Sequence, residues 1–179
     1  FDEQFNKEDY QALIGPKVVA IGETGLDFYH HVFWRAGAEA LAMDEVIKKQ
    51  KEIFTAHIRL AKENNLPLVL HGRNGLESME VYAQMLEILQ AECLPAGVFH
   101  CYGGDLATAK KIIAAGYYLG IDGPLTFQKK AEALQNLVRE IPLEGILIET
   151  DAPYLAPHPH RGKRNLPVYV ELVSEKIAA

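Results

Sequence analysis

Five short apolar segments alternate along the chain with stretches of helical periodicity, and this alternation restricts the possible folds. The segments are residues 18–22, 68–70, 97–99, 118–121 and 146–148. Strands joined by helical crossovers pair in parallel, so their carboxyl ends meet on one side of a sheet. The sequence therefore predicts an α/β fold. The intervening helices are expected at residues 38–64, 77–93, 105–115 and 128–140 and from residue 168 onward, with Asp105 as an N-cap.

The number of these units bears on the architecture. A closed (β/α)₈ barrel takes about 250 residues, whereas this chain has 179 residues and five βα units. On a barrel interpretation, roughly three units, or about 75 residues, are absent. An open five-stranded α/β sheet fits the same count. No linker or repeat divides the sequence, so a single domain spanning residues 1–179 is expected.

Composition and charge exclude several classes of protein. The formal net charge is −6, which argues against non-specific coating of nucleic acid but not against a local basic patch. No apolar run has the length of a membrane span, and no signal-peptide pattern opens the chain. The two cysteines form no C-x-x-C motif. We therefore expect a cytoplasmic protein with no membrane partner.

Acidic and imidazole side chains stand at or just after the ends of the predicted strands. Glu23 follows the first strand, His71 the second, His100 the third and Asp122 the fourth, and Asp151 follows the last. Carboxylates and imidazoles at one end of a parallel sheet form a typical ligand set for divalent cations. The pattern predicts a metallohydrolase site, with Asp151 as a ligand or as a general base for water.

Each of these residues also has an ordinary structural interpretation. Glu23 fits a solvated glutamate in a loop equally in residue type, and a single strand-end histidine is commonly a hydrogen-bonded core residue. Two such histidines in successive units make the metal interpretation more specific. Asp122 precedes Gly-Pro and fits a turn aspartate as well as a site residue. Glu149 fits an ion pair with a basic neighbour, and Cys101 is expected to be packed rather than to bind metal.

A basic segment follows the last acidic pair. Arg161, Lys163 and Arg164 lie together at residues 161–164, and Arg73 lies two residues after His71. Such side chains bind phosphate oxygens and stabilise leaving groups. The alternative is a solvated loop.

Several blocks of this sequence resemble the signature blocks of the TatD-type metal-dependent deoxyribonucleases. The blocks are residues 22–27, His71 with Arg73, residues 100–104, residues 149–157 and residues 161–165. The resemblance implies a TIM barrel of the amidohydrolase-like kind, one or two divalent metals (Mg, Mn or Zn) and DNA as substrate. It also implies that Glu23 bridges two metals, that His71 and His100 complete one site, and that Asp151 belongs to the other. Glu23 and Asp151 are the catalytic residues that it implies.

One block of that family has no counterpart here. The family carries a His-x-His on its first strand, and none precedes Glu23; the His-Pro-His at residues 158–160 lies in a late loop. The chain is therefore expected to be the C-terminal part of a barrel. Two other functions remain open: a related hydrolase acting on a small amide, lactone or nucleoside, and an inactive scaffold or binding protein. The sequence does not fix the oligomeric state.

Overall fold

The computed structural model describes residues 5–29, 43–75, 80–129 and 131–179. The chain forms two compact units, Phe1–Gly97 and Val98–Ala179. The single domain expected over residues 1–179 stays a prediction, and each unit is described here by itself.

The described residues of unit 1 form two parallel strands and three helices. Its elements are α1 (Lys7–Leu13), β1 (Ile21–Asp27), α2 (Met43–Glu63), β2 (Leu68–Arg73) and α3 (Val81–Ala91). Apolar side chains at helical spacing on α2 and α3 pack over the strands, and Phe54, Ile58 and Met85 are fully buried. Because parallel strands are covered by helices, Leu68 and Leu70 of β2 are also fully buried.

Unit 2 continues the alternation with three parallel strands. Its elements are β3 (Gly97–His100), α4 (Leu106–Ala114), β4 (Tyr118–Ile121), α5 (Glu132–Glu140), β5 (Ile146–Ile148) and α6 (Val170–Ala178), with short 3₁₀ turns at Gly123–Thr126, Leu143–Gly145 and Pro167–Tyr169. β4 pairs in parallel with both β3 and β5. The parallel pairing predicted from the alternation is confirmed in both units.

The first strand is longer and later than predicted. The β-branched run at residues 18–22 predicts a strand followed by a loop that carries Glu23. In the structure, that loop belongs to β1, because Thr24 and Leu26 alternate with more exposed neighbours and are buried. Burial that alternates with a period of two is typical of a strand, and the segment is a strand although its flanking glycines suggest a loop. Glu23 therefore lies inside β1, where the register with β2 shifts between Ile21 and Thr24.

The next two strands also extend beyond their predicted ends. β2 continues through His71 to Arg73, so both side chains belong to the strand rather than to a following loop. β3 includes His100 as its last residue. Backbone pairing of β1 with β2 as far as Asp27 and Arg73 accounts for the extension of β2. The predicted bounds of β4 and β5 are confirmed.

The helices occupy the predicted segments with shorter bounds. Residues 38–42 and 77–79 of the predicted helices, and residue 130, lie outside the described residues. Asp105 caps α4 as predicted, since its carboxylate accepts a hydrogen bond from the Thr108 amide. α5 begins at Glu132, four residues after the predicted start. Among the described residues, no helix combines the length and apolarity needed to cross a membrane.

Candidate metal centre

In unit 1 an imidazole lies between two carboxylates. Nδ1 of His71 is 2.5 Å from Oε1 of Glu23, and its Nε2 is 3.3 Å from Oδ2 of Asp27. Gln50 on α2 fixes the Asp27 backbone by donating to its carbonyl at 2.9 Å and accepting from its amide at 3.0 Å. A Cβ on Gly25 would overlap the His71 carbonyl, so glycine is needed for β1 to approach β2 this closely.

These contacts change the protonation of the imidazole. Hydrogen bonds to Asp27 and then to Glu23 raise the pKa of His71 to about 9, and desolvation opposes the rise. The cluster therefore favours a positive charge between the two carboxylates. A divalent cation meets that requirement once the imidazole gives up its proton.

Arg73 lies two residues beyond His71 on β2 and is exposed. Its guanidinium carbon lies 4.1 Å from the centroid of the Tyr29 ring. Stacking on an aromatic face restricts the orientation of the guanidinium group. The arrangement suits an arginine that receives an anion.

In unit 2 a second imidazole lies between two further carboxylates. Nδ1 of His100 is 3.1 Å from Oε2 of Glu149, and its Nε2 is 3.8 Å from Oδ1 of Asp151. Two ligands of one ion, each about 2.0–2.2 Å from it, lie roughly 3–4 Å apart. The second distance therefore suits two ligands of a shared cation. Glu149 is placed to orient the ring, as carboxylates behind metal-bound histidines do.

The backbone around this second imidazole adopts an uncommon conformation. Cys101 and Asp151 have φ values of 45° and 52°, in the left-handed region that non-glycine residues rarely occupy. The Cys101 amide donates to Oε1 of Glu149, which ties the two segments together. A Cβ on Gly120 would overlap the Glu149 carboxylate, so β4 leaves room for that side chain only because the residue is glycine. Such conformations concentrate at functional sites.

Asp122, which the sequence left undecided, is buried directly after β4. Its side chain is 2% exposed, and its Oδ2 has no hydrogen-bond partner among the described residues. Burial, followed by the charges of Glu149 and Asp151, raises the pKa of Asp122 to about 7, although a hydrogen bond from Cys101 opposes the rise. Burial likewise raises the pKa of the Cys101 thiol, in keeping with a packed residue that is not a thiolate ligand.

Replacing Asp122 by asparagine should stabilise unit 2, and the gain should grow with pH. The native pKa exceeds the unfolded value of about 3.9, so the folded state holds its proton more tightly and loses relative stability as pH rises from about 4 to 7. Asparagine does not titrate, and the difference in the free energy of unfolding should reach on the order of 4 kcal/mol at pH 8. Urea unfolding in EDTA at pH 4, 6 and 8 measures it. A difference independent of pH would contradict the burial argument.

The basic segment lies on an exposed loop with defined anchors. Arg161, Lys163 and Arg164 are all exposed. The Arg161 guanidinium lies 4.3 Å from the centroid of the Phe127 ring, which follows the 3₁₀ turn after β4. Asn165 closes the segment by hydrogen bonds to the turn that contains Asp151. The exposed cations are therefore attached to the Asp151 turn.

The structure thus brings the predicted site residues together in two groups. Glu23 lies against His71 in unit 1, and His100 faces Asp151 in unit 2. The convergence of all four on one cation stays a prediction. Sequence reasoning did not assign Asp27 to the site. Its position opposite Arg73 follows from strand register, which the apolar pattern does not encode.

The donor set fits a divalent cation in both units. Each unit contributes an imidazole with carboxylates on both sides, which is the mixture of nitrogen and oxygen ligands that Mn²⁺ and Zn²⁺ accept. The charges of Glu149 and Asp151 both raise the pKa of Asp122, and this concentration of acidic groups in unit 2 also favours a cation there.

Comparisons with known proteins match this chain to metal-dependent hydrolases, in agreement with the metal ligands inferred above. A family model described as "TatD related DNase" matches residues 2–179. "Uncharacterized metal-dependent hydrolase YabD" of Bacillus subtilis (strain 168) is 42% identical over 164 residues, which cover 90% of this chain and 57% of that protein. The "3'-5' ssDNA/RNA exonuclease TatD" of Escherichia fergusonii is 35% identical over 169 residues, covering 91% and 58%.

The fold of this chain is also similar to that of a solved structure. The crystal structure of YJJV, a TatD homolog from Escherichia coli K12, superposes with a TM-score of 0.77 at 25% identity and covers 96% of this chain and 60% of that chain. The predicted TIM-barrel fold class is confirmed. The chain spans about three fifths of the length of the relatives that it matches. From its family match and its relatives, the chain belongs to the TatD-related DNase family of metal-dependent hydrolases.

Proposed function

We propose that the protein hydrolyses phosphodiester bonds of DNA with the help of one or two divalent cations. The observation that carries the proposal lies in unit 2. There, His100 and Asp151 present a ligand pair separated by 3.8 Å, and an exposed basic segment is attached to the same Asp151 turn. A ligand pair next to cationic side chains suits a substrate whose reacting group is a phosphate.

The ligands and their supports have separate roles in this proposal. Glu23 and His71 in unit 1, and His100 and Asp151 in unit 2, are the cation ligands. Glu149 orients His100 through Nδ1, and Asp27 orients His71 through Nε2. A bound cation polarises phosphoryl oxygens and lowers the pKa of water. The Asp151 carboxylate would hold the cation through Oδ1 and accept the proton of the attacking water at its other oxygen, Oδ2.

The basic side chains balance the charge of the substrate. Arg73, Arg161, Lys163 and Arg164 contact phosphate oxygens and offset the negative charge that grows on the phosphoryl group. Stacking of Arg73 on Tyr29 and of Arg161 on Phe127 reduces the ordering cost of those contacts. The Escherichia fergusonii relative is named as a 3'-5' exonuclease of single-stranded DNA and RNA, which supports a nucleic acid substrate.

A nuclease assay on the full-length protein tests the proposal. End-labelled single-stranded DNA should be degraded in the presence of Mg²⁺, Mn²⁺ or Zn²⁺. EDTA should abolish cleavage, and excess cation should restore it, because the proposed ligands cannot activate water without the ion. Cleavage that persists in EDTA would remove the metal from the mechanism. Absence of cleavage with every cation would remove DNA as the substrate.

A further inference from the structure

Asn165 connects the basic segment to the turn that carries Asp151. Its side chain is 1% exposed, and it directly follows Arg164. Its Nδ2 donates two hydrogen bonds, to the Thr150 carbonyl at 2.5 Å and to the Tyr154 carbonyl at 2.6 Å. These two carbonyls lie on either side of Asp151. One buried amide therefore holds both arms of the turn.

Two further polar groups of Asn165 are also hydrogen-bonded, one of them to the turn. Its backbone amide donates to the Pro153 carbonyl at 3.0 Å, and its Oδ1 accepts from the Leu166 amide at 2.9 Å. The turn is closed independently by a hydrogen bond from the Tyr154 amide to the Asp151 carbonyl at 2.8 Å. Since Asp151 has a left-handed backbone, which costs about 1–3 kcal/mol, contacts of this kind are needed to keep it there.

The other end of the basic segment is anchored as well. The His160 ring stacks on Tyr169 with centroids 4.1 Å apart, and the Lys163 amide donates to the His160 carbonyl at 3.0 Å. Arg161 stacks on Phe127. The segment is consequently held at both ends, and its C-terminal anchor is the Asp151 turn. Asn165 therefore joins the basic segment to that turn.

We propose that Asn165 is a positioning residue that couples anion binding by the basic segment to cation binding by Asp151. A cation on Asp151 orders the turn, and a phosphate on the segment orders the loop. Because Asn165 joins them, each ligand lowers the ordering cost of the other. This inference rests on the proposed roles of Asp151 and of the basic segment, and it assigns the link between them to one amide.

The coupling is measurable as a ratio of affinities. Calorimetry gives the Mn²⁺ affinity of the full-length protein with and without a saturating phosphorothioate oligodeoxynucleotide, a probe that resists hydrolysis. In the unaltered protein we expect the oligonucleotide to raise the Mn²⁺ affinity by about 5–150-fold, and Mn²⁺ to raise the oligonucleotide affinity by the same factor. Asn165→Ala should lower this factor by at least about twofold, leaving a remainder from direct attraction between cation and phosphate.

Two further variants separate positioning from stability. Gln135→Ala removes a hydrogen bond from a side-chain amide to the Leu125 carbonyl in the same unit, and it leaves the Asp151 turn intact. It should therefore lower the melting temperature and preserve the coupling factor. Asn165→Ser keeps one hydrogen-bond donor on a shorter side chain. It is used in place of Asn165→Ala if the alanine variant does not fold. An unchanged factor in the folded Asn165 variant overturns the inference, as does a factor of one in the unaltered protein. If the Asn165 variant loses the coupling and the unaltered protein cleaves no DNA, the proposed function is overturned but the inference about Asn165 is not.

Discussion

Asp151→Asn should reduce metal-dependent DNA hydrolysis by about a thousandfold or more and leave the fold unchanged. Asparagine keeps the size of the side chain but removes the negative charge that faces Nε2 of His100 at 3.8 Å. It also removes the proposed acceptor for the proton of the attacking water. The two losses act on the same step, so the fall should appear in kcat rather than mainly in KM. Single-turnover and steady-state rates on single-stranded DNA, with circular dichroism for the fold, measure the outcome.

Asp105→Asn serves as the matched control for this substitution. Asp105 is an exposed carboxylate in unit 2 whose role is to cap α4, and asparagine is also a good N-cap. Its activity should stay within about threefold of the parent protein, since this exposed carboxylate caps α4 and is not a proposed ligand, and neutralising a surface charge has little effect. A folded Asp151→Asn protein with parental kcat would show that this carboxylate takes no part in the reaction.

The parts of the fold that follow from local patterns were predictable. Short apolar segments between helical stretches gave the parallel pairing and the bounds of β4 and β5, and an aspartate before an apolar helix gave the cap at Asp105. The predicted position of β1 was wrong, because Thr24 and Leu26 alternate with more exposed residues in a segment whose glycines resemble those of a turn. Alternation over so few residues has little weight until the partner strand is known.

The candidate site was predictable in residue type more than in arrangement. The acidic and imidazole residues near strand ends were identified, whereas their supports were not. Asp27 is brought to His71 by pairing of β1 with β2, and the burial of Asp122 depends on packing around Cys101 and Glu149. Asn165 bonds to residues 11 and 15 positions earlier in the chain. Contacts of that sequence separation are set by tertiary structure, which short-range patterns do not specify.

Cation binding should depend on both imidazoles. His71→Ala and His100→Ala should each lower the Mn²⁺ or Zn²⁺ affinity by at least about a hundredfold, because each removes a proposed ligand. Glu149→Gln should have a smaller effect, about 10–100-fold, since it changes the group that orients His100 at Nδ1 and not a ligand. Calorimetric titration of the folded variants measures all three.

The pH dependence of binding provides a second test of the unit 1 imidazole. His71 must lose its proton to bind a cation, and its neighbours raise its pKa to about 9, so affinity should increase as pH rises from 7 to 9. His71→Ala should flatten that increase. His158→Ala is the control, because the hydrogen bonds of this exposed histidine to described residues go to Gln128 and Thr126, and it is not a proposed ligand. If the double variant His71→Ala/His100→Ala binds Mn²⁺ and Zn²⁺ with the affinity of the His158→Ala protein, the two imidazoles are not ligands and the metal centre lies elsewhere.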